Sequence, residues 1–135
     1  MKDIGDLRFT VYAVRCIPTG KIYVGSTKDF ELRIYTHYSE LSRGEKTRLN
    51  RNTGKYEPSP WQIDYNKYGE SAFQVYILER DVKSVDRKAR EEHWIAYYRA
   101  TEPEYGYNYR ATVARSGVYV EPGIPPRPED GGENN

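Results

Sequence analysis

Glu91 is the residue whose placement asks for an explanation. In the run RKAREEHWIAYY it falls on the same helical face as Trp94, Ile95 and Tyr98, whereas Glu92 falls on another. A carboxylate on an apolar face costs free energy unless it is paired or bound to a cation. A salt bridge to Arg33 and a metal site both meet that need, and spacing alone leaves the two open. Arg33 and His37 stand four residues apart on the edge of another helical stripe, so a fixed cation and an imidazole share one side of a helix. Tyr12 and Tyr23 occupy two neighbouring β-rich runs. By default each is a core residue with a satisfied hydroxyl, and His37 is a packed histidine. A carboxylate, a guanidinium, an imidazole and two phenols suit anion binding and proton transfer if the fold brings them together.

The elements that would position them are readable. FTVYAVRC, from Phe9 to Cys16, and KIYVGS form a β-hairpin across the turn signal Pro18-Thr19-Gly20. Asp29 or Thr27 caps a helix running to about Arg43, with Gly44 as its stop and Phe30, Ile34, Tyr38 and Leu41 as its packing stripe. Ser59 caps a short helix, PWQIDYNKY, which carries Pro60 at its first position and is closed by Gly69. FQVYILE, from Phe73 to Glu79, is apolar enough to read as a central third strand. The helix bearing Glu91 spans Ser84 to about Ala100.

Between these elements lies a basic segment at about 43–59, read as a long surface loop. From Arg43 to Tyr56 it holds Arg43, Lys46, Arg48, Arg51 and Lys55 against Glu45 alone, although the whole chain carries a net charge of only +1. The 14 tyrosines add aromatic faces that suit nucleic acid beside such cations. From Ser116 onward the chain is acidic and rich in Pro and Gly, which reads as a disordered tail. With 135 residues, one domain is expected over 9–115, after an N-terminal extension at 1–8 and before the tail at 116–135. Cys16 is the single cysteine, which excludes an intrachain disulfide and a Cys-rich zinc site and fits a cytoplasmic setting. No apolar run suggests a membrane span.

In this order the motifs resemble the GIY-YIG nucleases. Thr10-Val11-Tyr12 stands where Gly-Ile-Tyr is usual and Tyr23-Val24-Gly25 where Tyr-Ile-Gly is usual. ELRIYTHYSEL supplies the arginine and histidine of the first helix, REEHWI the glutamate helix, and Gly106-Tyr107-Asn108 the closing motif. The resemblance implies an α+β fold with a small, mainly antiparallel three-stranded sheet flanked by helices. It further implies a DNA endonuclease in which Glu91 binds Mg²⁺, with Mn²⁺ able to substitute, and Arg33 faces the scissile phosphate. Tyr12 would be the general base assisted by His37, Tyr23 would position water or phosphate, and Asn108 would tie the C-terminal segment to the site. Lys46 stands where some homing-type members carry a second histidine. Lys46, Arg48, Arg51 and Lys55 are the candidate nucleic-acid contacts. One site cuts one strand, so a monomer or a transient dimer on DNA is expected. The alternatives are an inactive nucleic-acid-binding or regulatory protein on this scaffold, or a restriction-type enzyme reading sequence through the inserted loop.

Overall fold

A computed structural model describes residues 7–108, so the acidic tail lies outside the described residues. The elements in order are β1 (Arg8–Cys16), β2 (Ile22–Thr27), α1 (Phe30–Ser42), β3 (Thr47–Asn50), β4 (Lys55–Pro58), α2 (Pro60–Tyr68), β5 (Phe73–Lys83) and α3 (Arg87–Tyr98). The N-terminal extension expected over 1–8 therefore gives Arg8 to the first strand.

The sheet runs β2-β1-β5, with both pairings antiparallel. β1 is central, and Val11, Tyr12, Ala13 and Val14 are all buried. Alternation along the strand sends Val11 and Ala13 to one layer, against Trp94, Ile95, Tyr97 and Tyr98 of α3. Tyr12, Val14 and Cys16 go to the opposite layer, against Leu41 of α1 and Trp61 of α2. Each large apolar side chain buried in these layers contributes about 1.5–3 kcal/mol.

β5 is an edge strand, which corrects its expected central position. Its apolar run still has a cause: Leu78 and Val82 pack into the α3 layer, while Phe73 and Val75 pack into the α1/α2 layer. Burial on both faces here comes from helices above and below the sheet, not from strand neighbours on both sides.

The basic segment is also not a structureless loop. β3 and β4 pair as a hairpin, with Arg48 opposite Glu57 and Leu49 opposite Tyr56. Asn50 builds the turn, its Oδ1 accepting from the N–H groups of Asn52 and Thr53, and Gly54 takes φ +74°, a left-handed conformation that glycine adopts without strain. At the base, Ser59 N–H donates to the Lys46 carbonyl at 2.9 Å and Lys46 N–H to Gln62 Oε1 at 3.1 Å.

The helix signals hold. Asp29 Oδ1 accepts from Leu32 N–H at 3.2 Å, and Ser59 Oγ from Gln62 N–H at 3.2 Å, each at an N-terminus. α3, expected from Ser84, begins at Arg87 after a 3₁₀ turn over Ser84–Asp86, and it ends at Tyr98, earlier than expected, because Arg99 turns left-handed at φ 57°.

Residues 105–108 cover the outer edge of β2: Ile22 N–H donates to the Tyr105 carbonyl at 3.1 Å and Tyr107 N–H to the Ile22 carbonyl at 2.9 Å. Gly106 makes this approach possible, since a Cβ there would overlap the backbone of Ala100. Gly106→Ala should therefore lower the urea midpoint by the equivalent of about 1–3 kcal/mol. An unchanged midpoint would mean that this segment is not held between β2 and the end of α3.

Candidate active site

Register places the two phenols on one face of the hairpin. Tyr12 pairs with Gly25 and Tyr23 with Val14, and Tyr12, Val14 and Tyr23 all belong to the α1/α2 layer. Gly25 provides the space for this: a Cβ there would stand 2.6 Å from Tyr12 Oη and 2.9 Å from Tyr23 Cε2. The Tyr12 hydroxyl lies 2.7 Å from His37 Nε2. Tyr23 stacks on Trp61, with centroids 4.8 Å apart, and Trp61 stacks on Tyr107 at 5.7 Å. Tyr107 Oη donates to Asp64 at 2.7 Å, which fixes the far end of the stack.

A cavity of about 850 Å³ lies beside this stack. It is lined by Arg33, His37 and Glu40 from α1, by Arg87, Glu91 and Glu92 from α3, and by Tyr23 from β2. Asn108 also borders it. Its side chain clamps β2, with Oδ1 accepting from Val24 N–H at 3.0 Å and Nδ2 donating to the Val24 carbonyl at 2.9 Å. Tyr12 does not line the cavity: it is 0% exposed, packed in the same layer as Tyr23.

Glu91 is less buried than its helical face suggests, with 25% of its side chain exposed. Its partner is not Arg33. Ser26 Oγ donates to Glu91 Oε1 at 2.6 Å, and Arg87 Nη1 approaches the same oxygen at 3.4 Å, one helical turn away. Glu91 Oε2 accepts no hydrogen bond among the described residues. No group of three His, Cys, Asp or Glu side chains that could hold a metal is found among them. One carboxylate with a spare oxygen in a roomy, polar cavity does fit a hydrated hard cation, because Mg²⁺ keeps most of its water and takes one or two protein carboxylates. It does not fit a zinc cage.

Burial dominates the electrostatics of the deeper groups. It raises the pKa of Tyr12, which the neighbouring Tyr23 raises further, and the Arg33 guanidinium opposes both. Burial likewise raises Tyr23, again countered by Arg33. His37 is pushed down to about 3 by burial and by the charges of Lys46 and Arg33. Its ring is therefore neutral at physiological pH. The His37 Nδ1 atom is buried without a hydrogen-bond partner. An orphaned acceptor is better tolerated than an orphaned N–H, so we assign the ring proton to Nε2, from which it is donated to the Tyr12 oxygen.

The candidate nucleic-acid contacts divide. Lys46 reaches the cavity wall, pairing with Glu40 at 2.8 Å and sitting 4.8 Å over the Trp61 ring. Arg48, Arg51 and Lys55 are exposed on the β3–β4 hairpin, outside the cavity. Sequence reading missed four residues that shape the site. Arg87 had a usable signal in its i,i+4 spacing to Glu91, and Ser26 had one in following Gly25. Tyr107 stood within the closing motif without a role of its own, and Trp61 had no signal, because their stack joins residues distant in sequence.

The depressed His37 pKa has a pH signature. Between about pH 6.5 and about pH 3 the unfolded chain binds a proton at His37 that the folded chain refuses, so stability is complete above that window and falls as pH drops through it. His37→Gln should flatten the stability–pH curve there by up to about 1.4 kcal/mol per pH unit relative to the parent chain. Identical slopes in urea melts would show that His37 is not buried as a neutral ring.

The family model described as the GIY-YIG catalytic domain matches residues 8–108. Two solved structures are similar over almost their whole length. One is a point mutant of the catalytic domain of intron endonuclease I-TevI, 29% identical with a TM-score of 0.60, the alignment covering 79% of this chain and 99% of that one. The other, the catalytic domain of homing endonuclease I-TevI, is 28% identical with a TM-score of 0.60, covering 76% and 99%. Among curated proteins no sequence matches significantly. With Tyr23 of the hairpin, the first-helix arginine and the glutamate helix gathered around one cavity and the family model spanning residues 8–108, the chain belongs to the GIY-YIG family.

Proposed function

We propose that this protein is a metal-dependent DNA endonuclease that hydrolyses one strand per active site, as a monomer or a transient dimer on DNA. The observation that carries the reading is the convergence of Tyr23, Arg33, His37, Glu91 and Asn108 on one cavity, with the buried Tyr12 hydroxyl 2.7 Å from the lining His37. Among the described residues no helix is long and apolar enough to cross a membrane. The lone Cys16 is buried, in keeping with a reducing, cytoplasmic setting.

Phosphodiester hydrolysis needs an activated water, neutralisation of charge on the phosphate oxygens and stabilisation of the leaving 3′ oxygen. Arg33 supplies a fixed guanidinium for the scissile phosphate, a planar fork that matches its oxygens. Glu91 would hold the divalent ion, Mg²⁺ or Mn²⁺, and the ion would supply Lewis-acid stabilisation of developing negative charge. Arg87 and Ser26 fix the Glu91 carboxylate from one side, leaving Oε2 for that task.

The phenols share the acid–base work. Tyr23 faces the cavity and orients water, while Tyr12 is the terminal base. Because Tyr12 is fully buried, the step starts from its phenolate, its proton having left to solvent: Tyr23 Oη gives its proton to Tyr12 and takes one from the attacking water, the resulting hydroxide attacks phosphorus as the P–O3′ bond breaks, and solvent protonates the leaving 3′ oxygen. Burial disfavours the Tyr12 phenolate, so the neighbouring Arg33 charge and the neutral His37 donor are what favour it. Asn108 holds β2, and so Tyr23, in place.

Glu91→Ala should abolish Mg²⁺-dependent nicking of supercoiled plasmid while leaving the far-UV CD spectrum and DNA affinity nearly unchanged; undiminished nicking would remove the metal assignment. Tyr12→Phe and Tyr23→Phe should each lower the single-turnover rate by about 10²-fold or more. Near-normal turnover in Tyr23→Phe alone would eliminate the relay and place water directly on Tyr12.

A further inference from the structure

The β3–β4 hairpin does not contribute to the catalytic constellation, yet its base forms part of the cavity wall. Lys46 and Thr47, where the hairpin departs, and Ser59, where it returns, all line the cavity. Lys46 also sits over Trp61, which stacks on Tyr23, so the hairpin is mechanically continuous with the reacting phenol. Beyond that base its strands are almost wholly exposed. An isolated two-stranded ribbon gains little from its own pairing and is marginal in water without something to pack on.

The charge on the ribbon indicates what covers it. Alternation groups Arg48, Asn50, Lys55 and Glu57 on one face and Thr47, Leu49, Tyr56 and Pro58 on the other. Arg51 is at the turn. Arg48, Arg51 and Lys55 form no ion pair among the described residues, although Glu57 stands opposite Arg48 in register. By contrast Arg43, Lys46, Arg87 and Arg90 are paired with carboxylates. Uncommitted cations on a protruding element complement a polyanion.

Dimensions select the groove. Two strands about 4.8 Å apart, with side chains, suit a B-DNA major groove about 12 Å wide and are excluded from a minor groove about 6 Å wide. From Thr47 in the cavity wall to the turn the ribbon extends about 14 Å, or about four base pairs at 3.4 Å each. We propose that the β3–β4 ribbon seats in the major groove of duplex DNA beside the cleaved phosphate, where Arg48 and Lys55, about one and about three base pairs along the ribbon, read base edges and Arg51, about four base pairs along at the turn, holds the backbone. The inference deepens the nuclease reading, on which it relies only for the position of the cut. It makes cleavage sequence-selective through an element separate from the catalytic residues.

The test separates binding from cleavage. The full-length Glu91→Ala chain is bound to randomised duplex DNA methylated at guanine N7, a major-groove atom, and the parent chain's cleavage sites are mapped with Mg²⁺ on unmodified DNA. The expected result is N7 interference clustered within about one to three base pairs of the mapped nick. Replacing both Arg48 and Lys55 by Ala should reduce discrimination between preferred and other sequences about tenfold or more. Arg51→Ala should weaken all sequences alike and lower the log–log salt slope by about one. Absence of N7 interference overturns the proposal. So does a sequence preference that survives the Arg48/Lys55 variant, or one that responds only to Leu49→Ser with Tyr56→Ser. Equal affinity for an RNA duplex also overturns it, since the A-form major groove is too narrow and deep for side chains to read. N7 interference from a parent chain that never nicks plasmid supports the ribbon and overturns the nuclease reading instead.

Discussion

β2 is an edge strand, and the site depends on that position. An edge strand directs alternate side chains to opposite layers while its outer side stays within reach of both. Tyr23 packs in the α1/α2 layer, whereas Val24 packs in the α3 layer and Ser26 bonds Glu91 on α3. Groups from α1 and α3, which the sheet would otherwise separate, can therefore meet around β2. The cost of an edge is unpaired backbone, and residues 105–108 answer it. Tyr105 and Tyr107 satisfy Ile22, and the Asn108 amide satisfies both polar groups of Val24 in the manner of a strand neighbour. The closing motif is thus a structural edge cover that also borders the cavity.

Burial has chemical consequences on the inner side of this arrangement. The contact between Tyr12 and His37 is secluded, so burial opposes charge on both groups. Arg33 acts on the two in opposite senses: its charge favours a phenolate on Tyr12 and disfavours an imidazolium on His37. Burial is the larger cause in both, so the guanidinium tempers the Tyr12 shift and adds to that of His37 without setting either. Gly25 permits the contact, because any side chain there would occupy the space of the Tyr12 hydroxyl.

The aromatic stack links this centre to the periphery. Tyr23, Trp61 and Tyr107 lie in contact, and Lys46 over Trp61 joins the base of the β3–β4 ribbon to them. Rings in contact resist small displacements because packed interiors are dense. The base of the ribbon and Tyr23 thus share the Trp61 ring as a common neighbour.

Local signals in the sequence determined the β1–β2 hairpin, the caps at Asp29 and Ser59, the helix stripe on α1 and the candidacy of Glu91, because turn chemistry, capping and periodicity act over a few residues. The motif order determined the family. Tertiary structure alone decided the order of the strands, since helical layers bury β5 on both faces and give an edge strand the apolar run of a central one. It also decided that Arg87 rather than Arg33 pairs with Glu91, although the helical spacing had allowed for Arg87. The β3–β4 hairpin escaped notice because its four-residue strands are mostly polar and its turn is set by one asparagine side chain. That Tyr12 is wholly buried while Tyr23 borders the cavity was beyond the reach of sequence: alternation gives the face of a strand, but exposure depends on what the opposing helices place above it.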